Sequence, residues 1–324
     1  MYILDAHCDA PMRMIRGRDF GKDNPGVQVD FPKMQRSKTG GSFFALYVPA
    51  SMNNIEATDY ALDMLAELKR QVGANASSVA FATDKESFEA NISNSLVSIF
   101  IGIENGTPLL GRPGMLDYFY NEGVRYVTLC HSADNDICDS CTGQGRWGGL
   151  SPLGKDLIAE MNGIGMMIDV AHTANSTVRD VLELSDRPVA FTHGCCSSLC
   201  SSKRNLPDEL IRGIASKGGV VCISIFPPFL TDNLAGFDDD NPDEREMPEA
   251  DLVLDHIVHA VNVAGIEGVG IGTDFEGINH TPKGLESIEK MPNLMDALKR
   301  RGFSSSDLDK MASENLLRVI SAQK

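Results

Sequence analysis

Histidines and carboxylates stand where the apolar runs of this chain end. The sequence opens with Tyr2-Ile3-Leu4, the start of a buried strand, and Asp5-Ala6-His7-Cys8-Asp9 follows at once. On a strand successive side chains alternate sides, so Asp5, His7 and Asp9 are expected to point one way. A histidine and carboxylates converging at the end of an apolar strand are costly to bury unless something pairs them, and a divalent cation does so readily. Taken alone, the His-x-Asp pair is equally compatible with a polar turn holding one satisfied histidine. The arrangement recurs, however. Residues 96–103 run into Glu104, 125–130 into His131, 166–171 into His172, 188–192 into His193 and 268–273 into Asp274. Four of the seven histidines stand at such ends, where chance would scatter them over helices and loops. By alternation Ile168, Val170 and His172 share a face, as do Val189, Phe191 and His193, and Gly270, Gly272 and Asp274. Four histidines and three carboxylates (Asp9, Glu104 and Asp274) exceed what one tetrahedral zinc needs. They suit two metal ions roughly 3.5–4 Å apart with one carboxylate between them, which acidifies a shared water and polarises a carbonyl. Hydrolysis of an unactivated C–N bond is the chemistry expected.

The elements that must carry these residues alternate between short β-branched runs and helical patterns. Principal strands are expected at the chain start and at 41–48, 96–103, 125–130, 166–171, 188–192, 219–225 and 268–273, with a minor one at 79–82. Helices are expected at 54–72, 115–121, 152–162, 176–184, from 207, at 251–264, 294–300 and 306–320, and a long loop at 10–40. Eight strands each followed by helical or loop sequence, with no Ser/Gly/Pro-rich linker, predict one α/β domain over residues 1–324. It would be a (β/α)8 TIM-type barrel. In that architecture the active site lies at the C-terminal strand ends, where the histidines and carboxylates are.

Composition narrows the partners. The 324 residues are 42% hydrophobic and 23% charged, with a formal net charge of −16. That balance argues against nucleic acid and against acidic membrane surfaces, both of which call for Lys/Arg clusters. No apolar run approaches the roughly 20 residues that span a bilayer, and no charged-then-apolar leader precedes the first strand. Eight cysteines, including Cys138-Asp-Ser-Cys141 without a matching second pair, read as free thiols in a reducing, cytoplasmic compartment.

At this point the motifs resemble a known family. Asp5-Ala6-His7-Cys8-Asp9, Gly102-Ile103-Glu104-Asn105, Leu129-Cys130-His131-Ser132, Ile168-Asp169-Val170-Ala171-His172, Phe191-Thr192-His193 and Gly272-Thr273-Asp274-Phe275 are similar to those of the membrane (renal) dipeptidases, peptidase M19 of the amidohydrolase superfamily. Gly149-Leu150-Ser151-Pro152-Leu153-Gly154 and Ser202-Lys203-Arg204-Asn205-Leu206-Pro207-Asp208 fit the same pattern. The resemblance implies a zinc dipeptidase acting on dipeptides with a free C-terminal carboxylate, L-D dipeptides among them. It implies two Zn2+ ions: His7 and Asp9 on the first, His172 and His193 on the second, and Glu104 bridging, with a bridging hydroxide as nucleophile. It further implies that His131 stabilises the oxyanion next to the bound substrate and that Asp274 shuttles the proton. Arg204 would clamp the α-carboxylate, and the chain would form a homodimer. The residues by themselves leave open a hydrolase of lactams or acylated amines, and a metal-binding protein without catalysis.

Other residues carry weaker expectations. Ser42 and Ser224 replace larger amides of the family pattern, and Cys195-Cys196 a Ser-rich pair, so these positions are expected to bear on specificity. His256 and His259 are expected to be structural, on an outer helix. Arg13, Arg16, Arg18 and Lys22, and the acidic segment 236–250, are expected to be mainly solvated. His280 lies just beyond Asp274, and Trp147 fits packing or pocket wall equally well.

Overall fold

The computed structural model describes residues 1–37, 39–242 and 245–324; Lys38 and, within the acidic segment, Asp243 and Glu244 lie outside it. The strands are β1 (Ile3–Cys8), β2 (Thr39–Tyr47), β3 (Val79–Phe81), β4 (Val97–Glu104), β5 (Val124–Thr128), β6 (Met167–Asp169), β7 (Ala190–Gly194), β8 (Val220–Ile223) and β9 (Val269–Ile271). The helices are α1 (Ala10–Ile15), α2 (Phe31–Arg36), α3 (Asn54–Ala74), α4 (Lys85–Ser93), α5 (Met115–Asn121), α6 (Pro152–Ile164), α7 (Asn175–Leu184), α8 (Asp208–Ser216), α9 (Pro227–Leu230), α10 (Asp251–Ala264), α11 (Met291–Arg300), α12 (Ser305–Asp309) and α13 (Asn315–Ser321). All pairings are parallel, in the order β1-β2-β4-β5-β6-β7-β8-β9, which is the expected α/β barrel. The minor strand β3 pairs with the first half of β4, below the point where β5 takes over.

The ring closes without a long ladder between β9 and β1. Asp9 N donates to Phe275 O (2.8 Å) and Asp274 N to His7 O (3.1 Å). The buried Asp5 carboxylate accepts from Thr273 N and Oγ1, both 2.8 Å, and from Ser42 Oγ at 3.1 Å, so one side chain joins β1, β2 and the end of β9. Asp169 does the same across β5, β6 and β7, accepting from Thr128 Oγ1, Thr192 Oγ1 and Thr192 N. Burial raises both carboxyls, Asp5 to about 6. Each is held in place by several donors, as a buried acid must be.

Inside the ring a small cluster of Leu4, Phe43, Phe100, Tyr126, Met167 and Val220 is plugged from below by Leu316, Leu317 and Ile320 of α13. Outside it, Val189 and Phe191 pack with helix residues such as Leu157 and Ile158.

Three expectations fail for physical reasons. The segment 10–40 is not one loop: Pro11 and Pro32 pre-set the first turns of α1 and α2, and Asp30 caps α2 by accepting from Lys33 N. The tail helix is interrupted by a π-helical turn, Lys310–Glu314. Simple alternation fails at the site itself. The register of β1 shifts between Asp5 and Cys8, so Asp5 turns to the β9 seam while the His7 ring faces Tyr126. A similar shift between Phe191 and Gly194 separates His193 from Phe191.

Tyr126 needs the bare backbone of Gly102 beside it, because a Cβ there would lie 2.2 Å from its ring. Gly102→Ala is therefore expected to destabilise by about 1–3 kcal/mol, whereas Gly163→Ala, with open space around it near the end of α6, gains about 0.5–1 kcal/mol. Chemical denaturation of the two variants checks the contrast.

Candidate metal centre

Strand ends bring His7, Asp9, Glu104, His131, His172, His193 and Asp274 to one mouth. Glu104 is the last residue of β4 and is 3% exposed. Its Oε1 lies 2.8 Å from His172 Nε2 and 3.3 Å from His193 Nε2, and those two nitrogens are 2.9 Å apart. Its Oε2 lies 3.6 Å from His7 Nε2, which is 3.5 Å from Asp9 Oδ2 and 4.0 Å from Asp274 Oδ1. The two oxygens of one carboxylate thus face two different groups of ligand-type atoms. His131 stands further out, its Nε2 4.0 Å from Glu104 Oε1 and its ring against Tyr47 and His172.

The ring nitrogens are turned for coordination. His7 Nδ1 and Tyr126 Oη are 2.8 Å apart, and His193 Nδ1 is 2.9 Å from Thr192 Oγ1, whose own proton goes to Asp169. Because the Thr192 hydroxyl must then accept from His193 Nδ1–H, His193 Nε2 keeps its lone pair toward the mouth, and the Tyr126 phenol fixes the plane of the His7 ring. His7 Nε2 and Asp9 Oδ1 are buried and have no hydrogen-bond partner. Buried polar atoms left without partners in this way, flanked by carboxylates, fit a cation. Three sets of three donors lie close enough to hold an ion: His7, Glu104 and His193; Glu104, His131 and His172; and His7, Asp9 and Asp274. These sets cut across the pairing of His172 with His193 that the resemblance implies. Glu104 Oε1, His172 Nε2 and His193 Nε2 also lie within 2.8–3.3 Å of one another.

Without a cation the charges strain against one another. Burial alone would lower His7, but the Glu104 and Asp9 carboxylates outweigh it and hold the imidazole well above its usual range. Burial raises Asp9 to about 7, helped by the Glu104 charge, and Asp274 to about 6. Burial would likewise raise Glu104, yet the surrounding histidines pull it well below the usual carboxylate range. His172 and His193 are pushed down by burial, which suits neutral ligands.

A family model of the membrane dipeptidases, peptidase family M19, matches residues 1–324. The chain belongs to that family. Its metallopeptidase relatives include an uncharacterized dipeptidase of Schizosaccharomyces pombe, 31% identical over 98% of this chain and 80% of that one. A dipeptidase of Clonostachys rogersoniana is 32% identical over 98% of this chain and 83% of its own. Among solved structures, a Rhodobacter sphaeroides metallo peptidase liganded with a phosphinate mimic of L-Ala-D-Ala superposes with a TM-score of 0.90. It is 22% identical and covers 100% of this chain and 99% of the other.

In this dipeptidase-family chain the remaining sequence candidates fall as follows. Arg204 is buried: it is 8% exposed, donates from Nη2 to His193 O (3.0 Å), lies 5.1 Å over the Phe229 ring, and keeps Nε and Nη1 buried without partners. Phe229 itself lines the mouth, a cavity of about 440 Å³. Arg13, Arg16, Asp239 and Asp240, expected to be solvated, also line it. Ser42 and Ser224 do not: the first serves Asp5, and the second accepts from Phe226 N. His256 accepts from Cys196 N and donates to Leu230 O, and His259 pairs with Asp208, so both are structural. His280 is tied to Asp239. Trp147 lies on the surface under Arg146, donating to Asn135 O. All eight cysteines are unpaired, and all but Cys141 are buried. No described helix is long and apolar enough to cross a membrane.

Tyr126, Thr192 and Asp169 escaped the sequence reading because nothing in a strand pattern distinguishes a hydroxyl that holds a ligand from one that packs. Backbone angles mark the site too. Asn105, His172, Asp274 and Glu276 have φ of 78°, 65°, 68° and 67°, an unfavourable region for non-glycine residues and one that collects at functional sites. Tyr126→Phe should lower metal affinity about tenfold, read by chelator competition, with the barrel still folded.

Proposed function

We propose that this metallopeptidase hydrolyses dipeptides with a free C-terminal carboxylate, L-D dipeptides included, using two zinc ions with Glu104 between them. The observation that carries the reading is the division of Glu104: one oxygen toward His172 and His193, the other toward His7 and Asp9. The dipeptidases among the relatives, and the L-Ala-D-Ala mimic held by the Rhodobacter neighbour, support the substrate class. What zinc supplies when bound there is Lewis acidity toward a peptide carbonyl and toward water.

The chain's own groups do the rest. The Asp274 carboxylate, set at the seam by the bond from its N–H to His7 O, faces the same space as His7 and Asp9. It can take a proton from the attacking water and return it to the leaving amine. His131 reaches the mouth with an exposed edge and would donate to the oxygen on which charge develops. Arg204, buried with two nitrogens unpartnered, fits the α-carboxylate through a bidentate contact.

Treatment with a chelator should abolish dipeptide hydrolysis and zinc should restore it; full activity in metal-free protein would overturn the reading. Asp274→Asn should retain metal while kcat falls roughly 10²–10⁴-fold. Arg204→Ala should weaken free-carboxylate dipeptides by about 1.5–3 kcal/mol in kcat/KM and leave C-terminal amides nearly unaffected. Equal losses on both substrates would remove Arg204 from the carboxylate.

A further inference from the structure

Resting on that reading, a dipeptide held by Arg204 leaves its first residue to be recognised elsewhere, and the ring order says where. Arg204 lies on the loop after β7, and the strand opposite β7 in the eight-membered ring is β2, with β1 beside it. A substrate whose carboxylate sits near β7 and whose scissile carbonyl lies over Glu104 therefore extends its first residue toward the loops after β1 and β2. Arg13, Arg16 and Tyr47 form the wall there.

The state of each charge around this outer part of the mouth decides what would bind. Asp239 accepts from Asn279 N (2.6 Å) and from His280 N and Nδ1 (3.1 and 2.8 Å). Asp240 accepts from Asn279 Nδ2. Glu276 accepts from Gln28 N and Val29 N and faces Arg13 Nε at 3.4 Å. Every outer carboxylate is thus engaged by the protein, and Arg13 is engaged by Glu276 and Asn279. The Arg16 side chain, just past the end of α1, makes neither a hydrogen bond nor an ion pair among the described residues, while its charge acts on the Tyr47 phenol. Beside it a smaller recess is lined by Arg13, Arg16, Gly17 and Arg18 alone. Arg16 thus brings a guanidinium without a side-chain partner to the wall the first residue meets.

We propose that Arg16 is a specificity-determining residue that selects dipeptides whose first residue bears a carboxylate side chain, aspartyl or glutamyl. A lysyl or arginyl first residue would meet an unpaired guanidinium of its own sign on that wall.

The test compares kcat/KM for L-Glu-L-Ala with that for its neutral isostere L-Gln-L-Ala, with L-Ala-L-Ala as reference, in the zinc-loaded wild type, Arg16→Gln and Arg16→Glu. The wild-type Glu/Gln ratio is expected to be roughly three- to tenfold, between an exposed ion pair and a charge-assisted hydrogen bond. It should shrink with added salt because the group is solvated. Arg16→Gln should bring the ratio to about one, and Arg16→Glu below one. A wild-type ratio of one, or a ratio that Arg16→Gln leaves unchanged, overturns the assignment while turnover of L-Ala-L-Ala keeps the dipeptidase reading. If none of the three dipeptides is cut, the dipeptidase reading fails and this inference fails with it.

Discussion

Carboxylates packed among imidazoles at the mouth of an apolar barrel are tolerable only if positive charge balances them, and the rest of the structure follows from that need. Glu104, Asp9 and Asp274 would repel one another and protonate in the absence of a counter-charge; burial already drives Asp9 and Asp274 upward. The histidines reduce this tension only in part, because burial keeps His172 and His193 neutral. Divalent cations resolve it, and the orphaned polar atoms of His7 and Asp9 are the trace of that requirement in the protein atoms themselves.

Supporting that centre takes a second layer of polar groups inside the strands. Asp169 fixes Thr192, which fixes His193; Tyr126 fixes His7 and is itself accommodated by Gly102. The Asp169–Thr192 bonds join the neighbouring β6 and β7, and the Tyr126–His7 bond reaches across the barrel from β5 to β1, so the contacts that orient ligands also tie strands together. Fold and site are therefore coupled through single side chains rather than through general packing. A change at Thr192 would disturb both.

How much of this the sequence displays depends on whether a residue's role is local. His131, His193 and Glu104 are legible because each ends a run of strand formers, and strand ends in a barrel share one face of the molecule. Period-two alternation is a poorer guide at those same ends. Register shifts at Asp5–Cys8 and Phe191–Gly194 break it, and His172 follows a turn with left-handed backbone beyond the end of β6 at Asp169. Arg204 illustrates the opposite limit: its burial comes from Phe229 and the His193 carbonyl, neither of which its own segment announces. The same holds for Arg16, whose lack of a partner is visible only once the loops after β1, β8 and β9 have been brought together.

The closure of the ring has a consequence for how the molecule is made. His7 and Asp9 are synthesised some 260 residues before the segment that locks them, in which Thr273 and Asp274 reach back to Asp5 and His7. Contacts of such sequence separation form late and slowly. During synthesis the nascent polypeptide therefore carries its acidic and imidazole side chains without the enclosure that would organise them. The part of the centre formed by His7, Asp9 and Asp274 is complete only once β1 and the segment after β9 have met.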